Sequence, residues 1–267
     1  MAKIITDDQN YIDIATTIRE KTGSEETFKP NEMADKIAEV YDKGRQDEWS
    51  DFWDGFQNYG KRTKYSQGFY AYNNGCLWND NMFKPKYDII MVGYAAEAFR
   101  GAQITDLKGI LDRQGVVLDT SQATSVRLMF QSCAKITHLP EIDASKTTDN
   151  SDTVFSYCSA LHTIDKFIVR DNGTLSMDTD FYSCIALKNI RFGGVIGRDI
   201  SFAYSPLSID SMKDVITHLA DYSAQNTGVY TLTLKDECKS ALEAEGATSP
   251  NGNLWTEYVA DLGWNLA

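Results

Sequence analysis

Histidine and proline are scarce in this 267-residue chain, with three and five copies. Without a His-Glu-x-x-His pair, a Gly-x-Ser-x-Gly turn or a Gly-rich loop ending in Lys-Ser/Thr, the usual sequence marks of zinc hydrolysis, serine acyl transfer and phosphate cradling are missing. Gly60-Lys61 lacks both the preceding glycine and the following hydroxyl residue of a phosphate loop. No Ser- or Gly-rich run marks a flexible linker, and no apolar stretch approaches a membrane span. Nor does Met1–Asn10 carry the apolar run of a signal peptide, so synthesis in the cytoplasm without autonomous export is expected. The Asn172-Gly173-Thr174 sequon is accordingly read as chance. Positive charge is also short: 26 Lys+Arg against 38 Asp+Glu leaves −12, a field that repels phosphate backbones and argues against nucleic acid as a partner.

What is present suffices for a folded protein. An apolar share of 42% and an aromatic share of 12% exclude a disordered chain. The length gives a prior of one or two domains and burial of roughly 70–75% of the unfolded chain's surface. Five cysteines, Cys76, Cys133, Cys158, Cys184 and Cys238, form no Cys-x-x-Cys pair, and their odd number speaks against a disulfide framework. The gaps between the middle three are 25 and 26 residues, and that regularity calls for a search for repeats.

Phe99, Phe130, Phe155, Phe181 and Phe202 each open a similar phrase. In the three middle copies cysteine follows three residues after Phe, and Ile or Leu six and nine after it. The first copy, Phe99 to Leu107, is one residue shorter, and the last, from Phe202 to Leu207, loses its ending. A coil that returns to the same place once per repeat needs the same residue type at the same point of each turn. The spacing therefore predicts stacked rings of Phe, a small thiol and two aliphatics, with a short strand at each phrase ending. Cys133, Cys158 and Cys184 are expected in one buried column as small hydrophobes, rather than as metal ligands or a redox pair. Longer copies should bulge outward, as at Lys146–Asp152.

Thr124–Ile136 and Thr153–Leu161 resemble the Met-Phe-x-x-Cys-x-x-Leu repeat of BspA-like leucine-rich-repeat proteins, over roughly residues 94–207. That resemblance implies an α/β leucine-rich-repeat solenoid of the kind used as a binding surface by bacteria and bacteriophages. Ile14–Gly23, Phe28–Ile37, Trp78–Ile89 and the ending Gly263–Ala267 are similar to phrases of tail and baseplate proteins from phages of Gram-positive gut bacteria. The implied role is a virion component whose helical N-terminus joins other tail proteins while the solenoid faces the host.

Outside the repeats, 1–58 reads as a helical attachment or stalk segment. Tyr11, Ile14, Ala15 and Ile18 share a face of a helix over 7–22, and a second helix starts at Pro30. Residues 59–93 read as an aromatic-rich N-terminal cap, with a glycan-binding patch as the alternative use of its rings. Residues 94–207 are the solenoid, and 208–267 an αβ C-terminal cap. The cap is expected to hold a helix over Ser208–Tyr222, a strand at Tyr230–Leu234, helices opening at Asp236 and Trp255, and a final turn at Gly263.

No cofactor, catalytic residue or metal site is expected. His138 and His162 stand eight and seven residues after their Phe, which puts them in different columns, and Asp106, Asp143 and Asp165 read as turn-forming or solvated. The expected function is host adhesion, with Gln131, Ser132, His138, Tyr157, His162, Tyr182, Lys188 and Asn189 as outward contacts to a host surface protein or glycan. A homo-oligomer is expected because phage fibres are often trimers, although no heptad fixes the number. A structural tail decoration, a tail-associated glycan or cell-wall hydrolase and a bacterial surface adhesin stay open as alternatives.

Overall fold

The computed structural model describes residues 79–81, 83, 85, 88–148, 153–170, 177–225 and 230–267. The attachment segment 1–58, its two expected helices, most of the aromatic cap 59–93, and 149–152 of the expected bulge lie outside these residues.

The architecture is mixed α/β, with every named strand pairing parallel. Strands β1 (Ile89–Tyr94) and β2 (Leu118–Ser125) pair across helix α1 (Leu107–Gln114). A three-stranded sheet follows in chain order: β3 (His138–Asp143), β4 (Thr163–Ile168) and β5 (Asn189–Gly193). The last sheet joins β6 (Ile200–Phe202), β7 (Tyr230–Leu234) and β8 (Trp264–Leu266); along the chain, helix α2 (Ile209–Thr217) separates β6 from β7, and helices α3 (Asp236–Ala244) and α4 (Trp255–Asp261) separate β7 from β8.

The local reason for the Phe-x-x-Cys-x-x-Ile/Leu spacing is a pair of consecutive turns. Cys133, Cys158 and Cys184 each donate a backbone N–H to the carbonyl of the Phe three residues earlier. Ile136, Leu161 and Leu187 then donate to the carbonyl of that cysteine, again three residues back. Three residues per turn bring positions 0, 3 and 6 to one side, so all three apolar groups point inward. Every one of them is fully buried. The turn closes through a left-handed residue two places after Phe, at Gly101, Ser132, Tyr157 and Ser183, with φ of 73°, 62°, 63° and 60°. Left-handed backbone costs a non-glycine residue about 1–2 kcal/mol, and glycine gives back roughly 0.5–1 through unfolded-chain entropy. Ser183→Gly should therefore stabilise the fold by about 0.5 kcal/mol, read as a raised urea midpoint at unchanged m-value.

Equivalent positions of successive phrases meet in register. Phe99, Phe130, Phe155, Phe181 and Phe202 form a continuous ladder with centroid spacings of 5.1, 6.0, 5.5 and 4.5 Å and interplanar angles of 8–27°. Phe167 and Phe192, from the strands, set their edges against it; Phe167 lies 5.1 Å from Phe155 at 86°. The expected thiol column is present, but the cysteines do more than fill space. The Sγ of Cys133, Cys158 and Cys184 donates to the carbonyl of the previous repeat's Phe at 2.9, 3.0 and 3.1 Å. Each of those carbonyls thus accepts one bond from its own turn and one from the next. Ser205 takes the equivalent place after Phe202, and its hydroxyl donates to the Cys184 carbonyl.

The β5 edge of the middle sheet is closed by side chains. On α2, Ser211 Oγ accepts the Ile190 N–H at 2.9 Å and Asp214 Oδ2 accepts the Phe192 N–H at 2.6 Å, so the open edge of β5 finds partners on a helix. At the other side Asp106 caps α1 by accepting the Gly109 N–H, and Leu107, Ile110 and Leu111 pack inward. Helix α1 was not expected from the sequence. Helix α2 is shorter than the expected Ser208–Tyr222, with Ser208 as its cap. It stops because Ile196 bridges to Leu219, exchanging backbone bonds with His218 and Ala220. The strand at Tyr230–Leu234, the helices from Asp236 and Trp255, and the turn at Gly263 occur where the sequence places them.

Candidate binding surface

The eight proposed contacts fall into two rows. The first follows the Phe-opened turn. Gly101, Ser132 and Tyr157, each two residues after Phe, donate their N–H to the carbonyls of Gln131, Ser156 and Tyr182 in the next repeat. Gln131 and Ser132 are half-buried in this row, whereas Tyr157 and Tyr182 stand out of it, 51% and 39% exposed. Their rings touch edge to face at 5.3 Å. Tyr204, which the sequence analysis did not single out, continues the row at 4.9 Å from Tyr182 and is 43% exposed. Its phenol is pushed above its ordinary value, first by its hydrogen bond with Tyr182 and then by the charges of Tyr182 and Tyr157. Three solvent-facing phenols from three successive turns therefore form one strip.

The second row runs along the starts of the strands. Thr137, His162 and Lys188 occupy one column, because His162 and Lys188 donate their N–H to the carbonyls of Thr137 and His162. His138, Thr163 and Asn189 occupy the next, in direct register across β3, β4 and β5. His138 and His162 thus do fall in different columns. His162 Nδ1 lies 3.1 Å from Thr163 Oγ1, and Asn189 Nδ2 donates weakly to the same hydroxyl at 3.5 Å. His138 has a stronger partner, Asp165 Oδ1 at 2.6 Å, one strand over and two residues along. Lys108 of α1 reaches the other Asp165 oxygen at 4.0 Å while bonding Asp112. Asp165 is therefore an ion-pair member rather than a turn former; Asp143 does form a turn, accepting the Ser145 N–H. His162 and Lys188 are exposed, and His138 and Asn189 are half-buried.

Chemically the two rows differ. The strand-start row is polar and mixed in charge, and its best groups already satisfy one another. The tyrosine strip presents partly exposed phenol rings, each inclined by 70° to the next, with a backbone fixed beneath them. Among the described residues, no three His, Cys, Asp or Glu side chains gather as a metal site. The buried thiols are poor nucleophiles: burial pushes Cys184 up to about 12 and Cys158 well above its ordinary value.

Comparison of the chain with protein-family models, with curated proteins and with solved structures finds no match.

Proposed function

We propose that residues 94–207 are a leucine-rich-repeat solenoid of the BspA-like kind and that the chain is a non-enzymatic component of a phage tail or baseplate. In this reading the repeats attach the particle to the host surface, the N-terminal helices engage other tail proteins, and copies of the chain associate with one another. The phage assignment stands on the sequence resemblances alone. The observation that carries the adhesive role is the in-register stacking of the repeat phrases. A stack of that kind sets outward side chains from successive turns on a common rigid frame, as adhesion to an extended surface requires.

The test uses the labelled full chain on a panel of Gram-positive gut bacteria. Saturable binding to a subset of strains, with no reducing sugar released from their cell walls, is expected. Absence of binding to every strain would favour a bracing role in the particle, and released sugar would favour the hydrolase.

A further inference from the structure

We infer that the strip formed by Tyr157, Tyr182 and Tyr204 is a binding site for a neutral glycan chain. This rests on the adhesive reading of the repeats and names the class of ligand that one row of them takes.

Three properties of the strip select the ligand. The first is electrostatic. The strip itself is made of three phenols and includes no Lys, Arg, Asp or Glu side chain. A chain of net charge −12 that uses an uncharged strip has nothing there to hold an anionic polymer, and its overall field repels one. Neutral ligand and neutral strip are complementary. The second is the stacking chemistry of the part of each ring left open by its edge-to-face neighbours, an apolar surface with a polar tip. A pyranose matches it, with C–H groups on its face and hydroxyls on its rim.

The third is periodicity. The rings recur at 5.3 and 4.9 Å because each belongs to the next turn of backbone. A polyproline helix advances about 3.1 Å per residue and an extended peptide about 3.3 Å, so neither presents equivalent groups at the ring spacing. One sugar ring with its glycosidic oxygen spans a length close to it, and a polysaccharide repeats that unit indefinitely. The backbone beneath is already set. Tyr157 sits in the left-handed turn with its N–H on the Tyr182 carbonyl, and Tyr182 donates to Thr179. Little ordering is left to be done on binding, which favours affinity from three modest contacts.

The experiment is affinity electrophoresis and calorimetry of the full chain against neutral hexasaccharides (cellohexaose, maltohexaose, mannohexaose and chitohexaose), with polygalacturonate as the anionic comparison. Binding of at least one neutral hexasaccharide and none of polygalacturonate is expected. The Tyr157→Ala/Tyr182→Ala/Tyr204→Ala variant should bind at least tenfold more weakly with an unchanged near-ultraviolet spectrum of the remaining aromatics. The corresponding triple phenylalanine variant keeps the faces and should stay within threefold of the parent. Failure of all four neutral ligands, equal binding by the alanine variant, loss in the phenylalanine variant, or displacement by a proline-rich peptide would each overturn the assignment. The adhesive reading fails separately, by absence of binding to whole cells. Cell binding that survives the alanine triple would leave adhesion standing and remove the glycan site.

Discussion

Replacing Phe155 by alanine should cost about 3–5 kcal/mol, the range for deleting a fully buried aromatic side chain. Phe155 is completely buried and central in the ladder, stacked on Phe130 at 6.0 Å and Phe181 at 5.5 Å, with the Phe167 edge at 5.1 Å. The hole cannot close by local collapse, because the residues above and below are tied to each other by backbone bonds in register. Loss of three ring contacts adds to the transfer term. Phe155→Leu, which keeps most of the volume, should cost less than half as much. Val117→Ala, at a residue more than half exposed, should change stability by under about 0.5 kcal/mol. Urea unfolding of the three variants checks the order. A Phe155→Ala cost below about 1 kcal/mol would mean that the ladder does not hold the repeats together.

The second large effect is a loss of stability in alkali. Burial raises the Cys184 thiol from its ordinary 9.0 to about 12 and raises Cys158 well above the same value. Both are stabilised in their protonated form in the folded chain relative to the unfolded one. Their contribution is fully present below pH 9 and is lost as the pH rises from 9 toward the folded value, since the unfolded state ionises first. The Cys184 thiol then costs about 1.4 kcal/mol per pH unit over that window, and Cys158 adds a loss of the same sign. Between pH 9 and 11 the Cys184 share alone is about 3 kcal/mol, a large part of the stability of a typical domain. Urea midpoints at pH 8, 9, 10 and 10.5 should fall steeply for the parent chain. The Cys158→Ala/Cys184→Ala variant should begin lower at pH 8, through lost Sγ bonds to the Phe carbonyls, and fall less steeply. Parallel slopes would show that these thiols do not titrate with unfolding.

How much of this was legible in the sequence depended on whether a feature repeats. The Phe, Cys and Ile/Leu positions recur at fixed offsets, and all of them are buried where their period places them. The cap elements from Tyr230 onward were legible because alternation, first-turn acids and Gly263 act locally. Helix α1 was missed although Asp106, the Leu107/Ile110/Leu111 face and Gly115 are ordinary start, stripe and stop signals. Its eight residues make little more than two turns, too few for the 3.6-residue period to stand out. The end of α2 was set by a partner far along the chain, Ile196, which no local signal announces. The spacing marks the cysteines as apolar filler but not as donors, because the S–H donation depends on which carbonyl the preceding turn leaves within reach.

The proposed contacts share an outward position, and the structure separates them by register. Tyr157 stands two residues after its Phe and Tyr182 one after its own, so aligning the phrases puts them in different columns. Only the backbone bond from Tyr157 to the Tyr182 carbonyl, and the ring contact above it, reveals them as neighbours. Tyr204 shares the Tyr157 offset, and that was the available signal; the lost ending of its phrase hid it. His138 was legible as outward but not as bound to Asp165, since that pairing depends on His138 meeting Thr163 across the sheet.

The in-register stack underlies both the fold and the exposed strip, and it is measured most directly by nuclear Overhauser contacts in protein labelled at the Phe and Tyr rings. Expected are sequential ring contacts from Phe99 through Phe130, Phe155 and Phe181 to Phe202, and a parallel set from Tyr157 through Tyr182 to Tyr204. A spectrum in which Phe130, Phe155 and Phe181 share no contacts, or in which the three tyrosines contact other partners instead, would contradict the stack and remove the surface built on it.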